Sequence, residues 1–407
     1  MGQLLSHPLT EKTIEYNDYK TKSSAAGSVP RFYNCVGSMQ GYRLSQEDAH
    51  KVQNEDTILR VRFFNPFTGK HEKMVISMFA VFDGHGGDSC SKFLSGTSNP
   101  HLRAGLAKWV VYSFENHRYG AKKNISSVDN GGANNYTNAP NNSINGSNAD
   151  NSASYTRHFR TMEGLISQII KDAYIKQDQE LHQHFANSAC GSTAVVALII
   201  NGTMLYVANC GDSRCILSSK ARGIKTMSYD HKPQNIGELI RINDNGGTVS
   251  LGRVGGVLAL SRAFSDFQFK RGVVYKNTNP MRISANGNHN SPTPPQEAQV
   301  SVEPDVLMHK LDFNKDEFLV LACDGIWDIY NNTRLIQFIK YHLMQGMKLD
   351  GIMTKLLDHG IAQANSSTGV GFDNMTAIVV VLNRPDESLH DWMNKMKLRL
   401  EREKGII

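Results

Sequence analysis

Short apolar runs rich in β-branched and aromatic residues recur along this chain, and they limit what it can fold into. They are residues 75–82 (VISMFAVF), 193–200 (TAVVALII), 204–208 (MLYVA), 257–260 (VLAL), 318–322 (FLVLA) and 376–382 (TAIVVVL). Each is too short for a helix and has the composition of a buried strand. The second and third are joined by Asn201-Gly202, the dipeptide that accepts the two left-handed conformations of a tight hairpin. Between the runs, apolar residues recur at helical spacing over 164–185, 236–243, 333–345 and 353–365. Hairpin-linked strands with helices between them predict an α+β fold in which two sheets pack together, flanked by helices.

At 407 residues and 40% hydrophobic, the chain can bury a full core as one large domain or two smaller ones. Its net charge of +6 is scattered, so no nucleic-acid-binding patch is expected. The six cysteines, Cys35, Cys90, Cys190, Cys210, Cys215 and Cys323, form no CxxC pair and mostly sit beside apolar residues. They read as reduced, buried thiols of a cytoplasmic protein. No run approaches the roughly 18 apolar residues of a spanning helix, and no apolar h-region opens the chain. The start, MGQLLS, fits the pattern for myristoylation of Gly2, which alone gives only weak membrane association.

Two stretches read as insertions. Residues 116–154 are dense in Asn, Ser and Gly and hold too few apolar side chains to offset the entropy of ordering. Residues 276–299 carry the Pro, Asn and Gly of a long surface loop. The expected organisation is an N-terminal extension over 1–30, a catalytic domain over 31–383, and a C-terminal amphipathic helix over 384–407. That helix carries Leu389, Trp392, Met396 and Leu400 on one face and is expected to pack on the domain.

The acidic residues fall where the strands end. Asp83 follows MFAVF and precedes Gly84-His85-Gly86-Gly87, Asp324 closes FLVLAC and precedes Gly325, and Asp212 follows LYVANCG. Asp373 stands just before the last strand, and Glu47 and Asp48 are adjacent a few residues after Arg43. One Asp-Gly after a strand is ordinarily a turn. Several in one chain, without a Cys/His cluster to suggest zinc, point to a carboxylate site for a hard divalent cation, where glycine lets a backbone carbonyl approach the ion. Residue pattern alone therefore leads to a divalent-metal phosphoesterase or a nucleotide-handling enzyme.

Eight motifs in order sharpen this reading: GYRLSQEDAH (41–50), VFDGHGG (81–87), GSTA (191–194), NCGDSR (209–214), DHKP (230–233), LSRAFSD (260–266), CDGIWD (323–328) and FDNMT (372–376). In this string the chain resembles the type 2C (PPM) protein phosphatases, over residues 32–382 apart from the two insertions. The resemblance implies an αββα sandwich of two antiparallel sheets and hydrolysis of phosphoserine and phosphothreonine in phosphoproteins by a monomer. It implies two Mg2+ or Mn2+ ions, with Asp83 bridging them, the Gly84 carbonyl as a ligand, and Glu47, Asp324 and Asp373 completing the shell. Asp48 would support that shell, and Asp212 and Asp328 match a weaker third metal position.

Arg43 would clamp the phosphate, His85 would protonate the leaving oxygen, and a water bridging the ions would attack phosphorus in line. Cys323 then reads as a core thiol and His231 as structural. Three departures stand out: Gln46 where Met is common, Ser265 where Gly is usual in a turn, and Gly371-Phe372 ahead of Asp373. None removes a matched ligand, so activity is expected. The alternatives are a silent scaffold of the same fold, which would have lost these carboxylates, and a phosphoesterase of small molecules, which would share the chemistry.

Overall fold

In the computed structural model, which describes residues 4–18, 31–97, 104–122, 157–220, 223–273 and 293–405, the apolar runs become the centres of two antiparallel sheets. The strands are β1 (Leu4–Asn17), β2 (Asn34–Arg43), β3 (Ala49–Gln53), β4 (Leu59–Asn65), β5 (Lys70–Phe82), β6 (Ala194–Ile200), β7 (Met204–Cys210), β8 (Arg214–Ser219), β9 (Gly223–Thr226), β10 (Asp305–Lys310), β11 (Asp316–Ala322) and β12 (Met375–Val381). One sheet has the order β1-β2-β12-β11-β8-β9, the other β10-β7-β6-β5-β3, with β4 pairing the first half of β5.

The helices are α1 (Ser89–Ser95), α2 (Leu106–Asn116), α3 (Met162–Phe185), α4 (Ile236–Asp244), the single turn α5 (Asp324–Trp327), α6 (Asn332–Met344), α7 (Leu349–Ala362) and α8 (Leu389–Glu403). Alternation along the strands assigns the layers. Val195, Ala197 and Ile199 of β6 face the other sheet together with Phe79 and Val81 of β5. Val196, Leu198 and Ile200 face α2 and α3 with Phe114, Leu165 and Ile169. Because both faces of these strands are covered, their sequences run apolar without alternation. The helices α6, α7 and α8 cover the outer face of the first sheet, so the molecule has the expected four layers. The tail helix packs Leu389, Trp392, Met396 and Leu400 into that core.

The Asn201-Gly202 turn behaves as its chemistry requires: the two residues stand at φ 49° and 72°, and Thr203 N–H donates to the Ile200 carbonyl at 3.2 Å. One expectation needs correction, and one segment takes a form the sequence did not announce. Residues 4–17, within the expected N-terminal extension, form β1, which pairs with β2 from Leu4 opposite Arg43 to Asn17 opposite Asn34. As an edge strand with much of its surface in solvent, β1 mixes polar and apolar residues and lacks the continuous apolar run of the central strands. Residues 257–260, expected as a strand, are not one. They leave the Gly255-Gly256 turn as a loop, with a single bridge between Val254 and Leu258 and with Val257 64% exposed. Four apolar residues after two glycines suffice to wall a cleft but not to enter a sheet.

All six cysteines are buried and free. No helix among the described residues is long and apolar enough to cross a membrane. The acylation signal at Gly2, most of the Asn-rich stretch and most of the 276–299 loop lie outside the described residues; the first stretch is bracketed by short strands, Tyr119–Ala121 and Arg157–Phe159, paired in parallel.

Candidate active site and metal centre

Both sheets deliver carboxylates to the same end of the sandwich. Asp83 follows β5 and Asp212 follows β7 in one sheet; Asp324 follows β11, Asp373 precedes β12 and Arg43 closes β2 in the other. The carboxylate oxygens of Asp83, Asp212 and Asp324 lie within 4.8 Å of one another, and ligand atoms of Asp48, Asp83 and Cys323 form a second such group. Asp83 is the member common to both. A cleft of about 580 Å3 opens over them, walled by Arg43, Glu47, Gly84, His85 and Asp373, with Arg253 and Leu258 to Leu260 on the far side.

Glu47 and Asp48 separate as neighbours entering a strand should. Glu47 lines the cleft, where it accepts a bond from Ser45 Oγ at 3.0 Å, whereas Asp48 is buried beneath and accepts from Thr376 Oγ1 at 2.7 Å. Asp328 ends the α5 turn, where it is exposed and stands outside the cleft wall. It remains within electrostatic reach of Lys232 and Asp212.

The electrostatics of this group suit the binding of a cation. Burial, and then the neighbouring carboxylates, push the proton affinities of Asp83 and Asp324 well above the ordinary range; burial raises Asp48 to about 7. Like charges crowded in a poorly solvated pocket are unfavourable until an opposite charge joins them. The acidic side chains and the Gly84 carbonyl facing the cleft offer oxygens, which suits Mg2+ or Mn2+. The sulfur of Cys323 accepts from Thr376 N–H at 3.1 Å, and burial holds its thiol protonated, so it is a core thiol as expected. A Cβ on Gly84 would overlap the Glu47 carbonyl oxygen and crowd Ser91 Oγ, so only glycine lets this strand end pass so close to the loop bearing Glu47. The residues present therefore fit the divalent ions that the motifs imply.

Three supporting residues escaped the sequence reading. Asn374 ties the entry of β12 to β2 and to the loop that follows it: its Oδ1 accepts from Glu47 N–H at 2.9 Å, while Nδ2 donates to the Gln40 and Ser45 carbonyls at 2.8 and 3.0 Å. Lys232 of the DHKP motif pairs with Asp212; burial opposes its charge, but that carboxylate and Asp324 more than offset it, so its proton is held more firmly. Asp266, 1% exposed at its side chain, meets His85 Nε2 at 2.7 Å. Burial disfavours the imidazolium, yet the Asp266 carboxylate prevails and raises the proton affinity of His85. A Cβ on Gly191 would collide with both partners of this contact, the Asp266 carboxylate and the His85 imidazole edge.

The turn that holds Asp266 is unusual. Ser265 and Asp266 stand at φ 61° and 48°, in the left-handed region that side chains avoid. A buried ion pair beneath fixes it: Asp178 of α3 accepts from Ser265 N–H at 2.7 Å and from Lys270 Nζ at 2.8 Å. Serine thus occupies the place of the usual glycine with the turn retained. Ahead of Asp373, the Phe372 ring lies 4.5 Å from that of Tyr42, anchoring the altered loop. His231 is structural: Nδ1 accepts from Gly211 N–H at 3.1 Å, and Nε2 faces Asp305 at 3.1 Å.

Arg43 donates from Nη2 to Asp373 Oδ2 at 2.5 Å, with its side chain 41% exposed at the cleft wall. A guanidinium fork and a protonated imidazole over a carboxylate floor can grip a phosphate ester and hand a proton to its leaving oxygen.

Comparison with known proteins agrees with this chemistry. A family model described as protein phosphatase 2C matches residues 110–369. Over the full length of both chains, the protein is 66% identical to protein phosphatase 2C homolog 4 of Saccharomyces cerevisiae. It is 30% identical to protein phosphatase 2C homolog 2 of Schizosaccharomyces pombe, over all of this chain and 85% of that one. The fold matches a phosphatase from Toxoplasma gondii with a TM-score of 0.56 at 18% identity, over 91% of this chain and 95% of that one. It also matches a sex-determining protein of C. elegans with a TM-score of 0.57 at 19% identity, over 91% and 69%. The chain belongs to the protein phosphatase 2C family and is a protein serine/threonine phosphatase.

Proposed function

We propose that the chain hydrolyses phosphoserine and phosphothreonine esters with two divalent cations, Mg2+ or Mn2+. Asp83, Glu47, Asp324, Asp373 and the Gly84 carbonyl would hold them, Asp48 would support the shell from below, and Asp212 with Asp328 would hold a weaker third ion. The observation that carries the reading is that carboxylate oxygens of Asp83, Asp212 and Asp324 meet within 4.8 Å in a cleft that Glu47, Gly84 and Asp373 also line, which puts Asp83 among all the other oxygen donors. Cations held there supply the Lewis acidity that makes water nucleophilic near neutral pH and offset the charge of the phosphoryl oxygens.

The chain's own groups do the rest. Arg43 spends one N–H on Asp373 and offers the remaining fork to two phosphate oxygens, setting phosphorus in line with the attacking water. As the new P–O bond forms, the bond to the serine or threonine oxygen breaks, and that oxygen takes a proton from His85. Nε2 of His85 is committed to Asp266, so Nδ1 is the atom that gives it. The products are inorganic phosphate and the free hydroxyl. Asp266 acts by fixing the ring and keeping it charged.

Calorimetric titration of Mn2+ into the full chain tests the ligand assignment. Wild type should take up two ions, and Asp83→Asn should lose at least one, with turnover of a phosphothreonine peptide falling by more than about a hundredfold. Unchanged stoichiometry and turnover in the variant would overturn the bridging role.

A further inference from the structure

At the start of β11, away from the cleft, a groove of about 340 Å3 runs between that strand and α8. Its lining carries six basic side chains, Lys220, Lys315, Arg384, Lys395, Arg399 and Arg402, against two carboxylates. Both carboxylates are buried and engaged: Asp316 faces His309, and Glu317 pairs with Lys340 and Arg399. Lys220 and Arg402 are exposed, and among the described residues neither has a carboxylate partner. Leu398, 48% exposed, and the half-buried Phe313 add apolar surface. Past Phe313, Asn314 and Arg384 the groove continues into a second hollow of about 570 Å3, where Lys310 and Arg384 stand with Asp312 and Asp386, so the positive charge is confined to the first groove. The whole is an elongated channel; within its first part Lys315, Lys395 and Arg399 are paired with Asp312, Glu387 and Glu403, and the positive charge left over is that of Lys220, Arg384 and Arg402.

We propose that this groove docks an acidic, extended segment of a phosphoprotein substrate, outside the catalytic cleft. The inference rests on the phosphatase activity for the nature of its partner. Charge complementarity selects the acid, and the length and apolar border select a peptide over a lone anion. The aromatic side chains are buried or half-buried, with Trp392 at 2%, so no face is offered to stack nucleic-acid bases. A concave surface does not insert into lipid as a protruding apolar face does. From Asp316 to Asp324 the chain runs along β11 for eight residues, which at about 3.3 Å each puts the groove on the order of 25 Å from the site. A docked segment therefore raises the local concentration of a phosphosite only when the two lie roughly ten or more residues apart.

The test uses the full chain and a labelled, phosphate-free twelve-residue peptide of alternating Glu, Asp and Leu, read by fluorescence anisotropy. Binding should be micromolar, weaken with salt, and fall at least tenfold in the double variant Lys220→Glu/Arg402→Glu. In that variant turnover of p-nitrophenyl phosphate should be unchanged. KM should rise only for a phosphothreonine peptide carrying a distant acidic tract, with kcat preserved. Binding is read without turnover, so failure of the metal assignment would leave it intact. Equal affinity in wild type and variant would overturn the proposal. So would variant-sensitive binding of phosphatidylserine vesicles with none of the peptide.

Discussion

Replacing Ser265 by glycine should make the protein more stable. The left-handed conformation at φ 61° costs a residue with a side chain roughly 1–2 kcal/mol. The Ser265 hydroxyl is also buried without a hydrogen-bond partner among the described residues, which costs about 1–3 kcal/mol. Glycine removes both penalties and adds about 0.5–1 kcal/mol of backbone entropy lost on folding. The net is a gain of about 1–4.5 kcal/mol. At about 2 °C per kcal/mol for a chain of this size, that is a rise of roughly 2–9 °C in Tm by scanning calorimetry. Ser265→Ala separates the two contributions, because it removes the hydroxyl and keeps the strained backbone; its gain should fall below that of glycine. The Asp178 bond is made to the Ser265 backbone N–H and survives both changes. A glycine variant less stable than wild type, or no more stable than the alanine variant, would refute the strain argument.

Two further outcomes follow from the same geometry. His85→Ala should slow phosphoserine hydrolysis far more than that of p-nitrophenyl phosphate, whose leaving group needs no proton, by about 10²- to 10⁴-fold for the former; equal losses would remove His85 as the donor. Glu238 of α4 gives the second, through its bonds to Arg262 at 2.7 Å and Arg241 at 2.9 Å. Burial opposes its charge, but the guanidiniums prevail and lower its pKa from 4.5 to about 2. A depressed carboxyl stabilises the fold above its unfolded value and loses that contribution as pH falls toward the folded one. At about 1.4 kcal/mol per unit, the stability gap between wild type and Glu238→Gln should shrink by roughly 2 kcal/mol from pH 6 to pH 3. Urea unfolding at the two pH values checks this, and a constant gap would contradict it.

The parts of this molecule that were legible in the sequence are those whose cause is local. Asn201-Gly202 announces its hairpin because two adjacent residues accept positive φ, and Asp83 and Asp324 announce themselves by ending apolar strands before glycine. What was illegible depends on contacts across the chain. Asp266 meets His85 from 181 residues away, and nothing near either residue marks the pair. Asn374 shares a motif with Asp373, yet its work is to bridge loops more than 320 positions away. The edge strand β1 was hidden because half of its residues face solvent, and residues 257–260 misled because four apolar residues satisfy a strand pattern and a cleft wall equally well.

The central claim is that these carboxylates work only with divalent cations. The most direct measurement is phosphate release from a phosphothreonine peptide by the purified full chain, in EDTA and then with Mg2+ or Mn2+ restored. The account predicts that activity vanishes with the chelator and returns with the metal. Release that continues undiminished in EDTA, or a folded protein that stays silent with metal present, would contradict it.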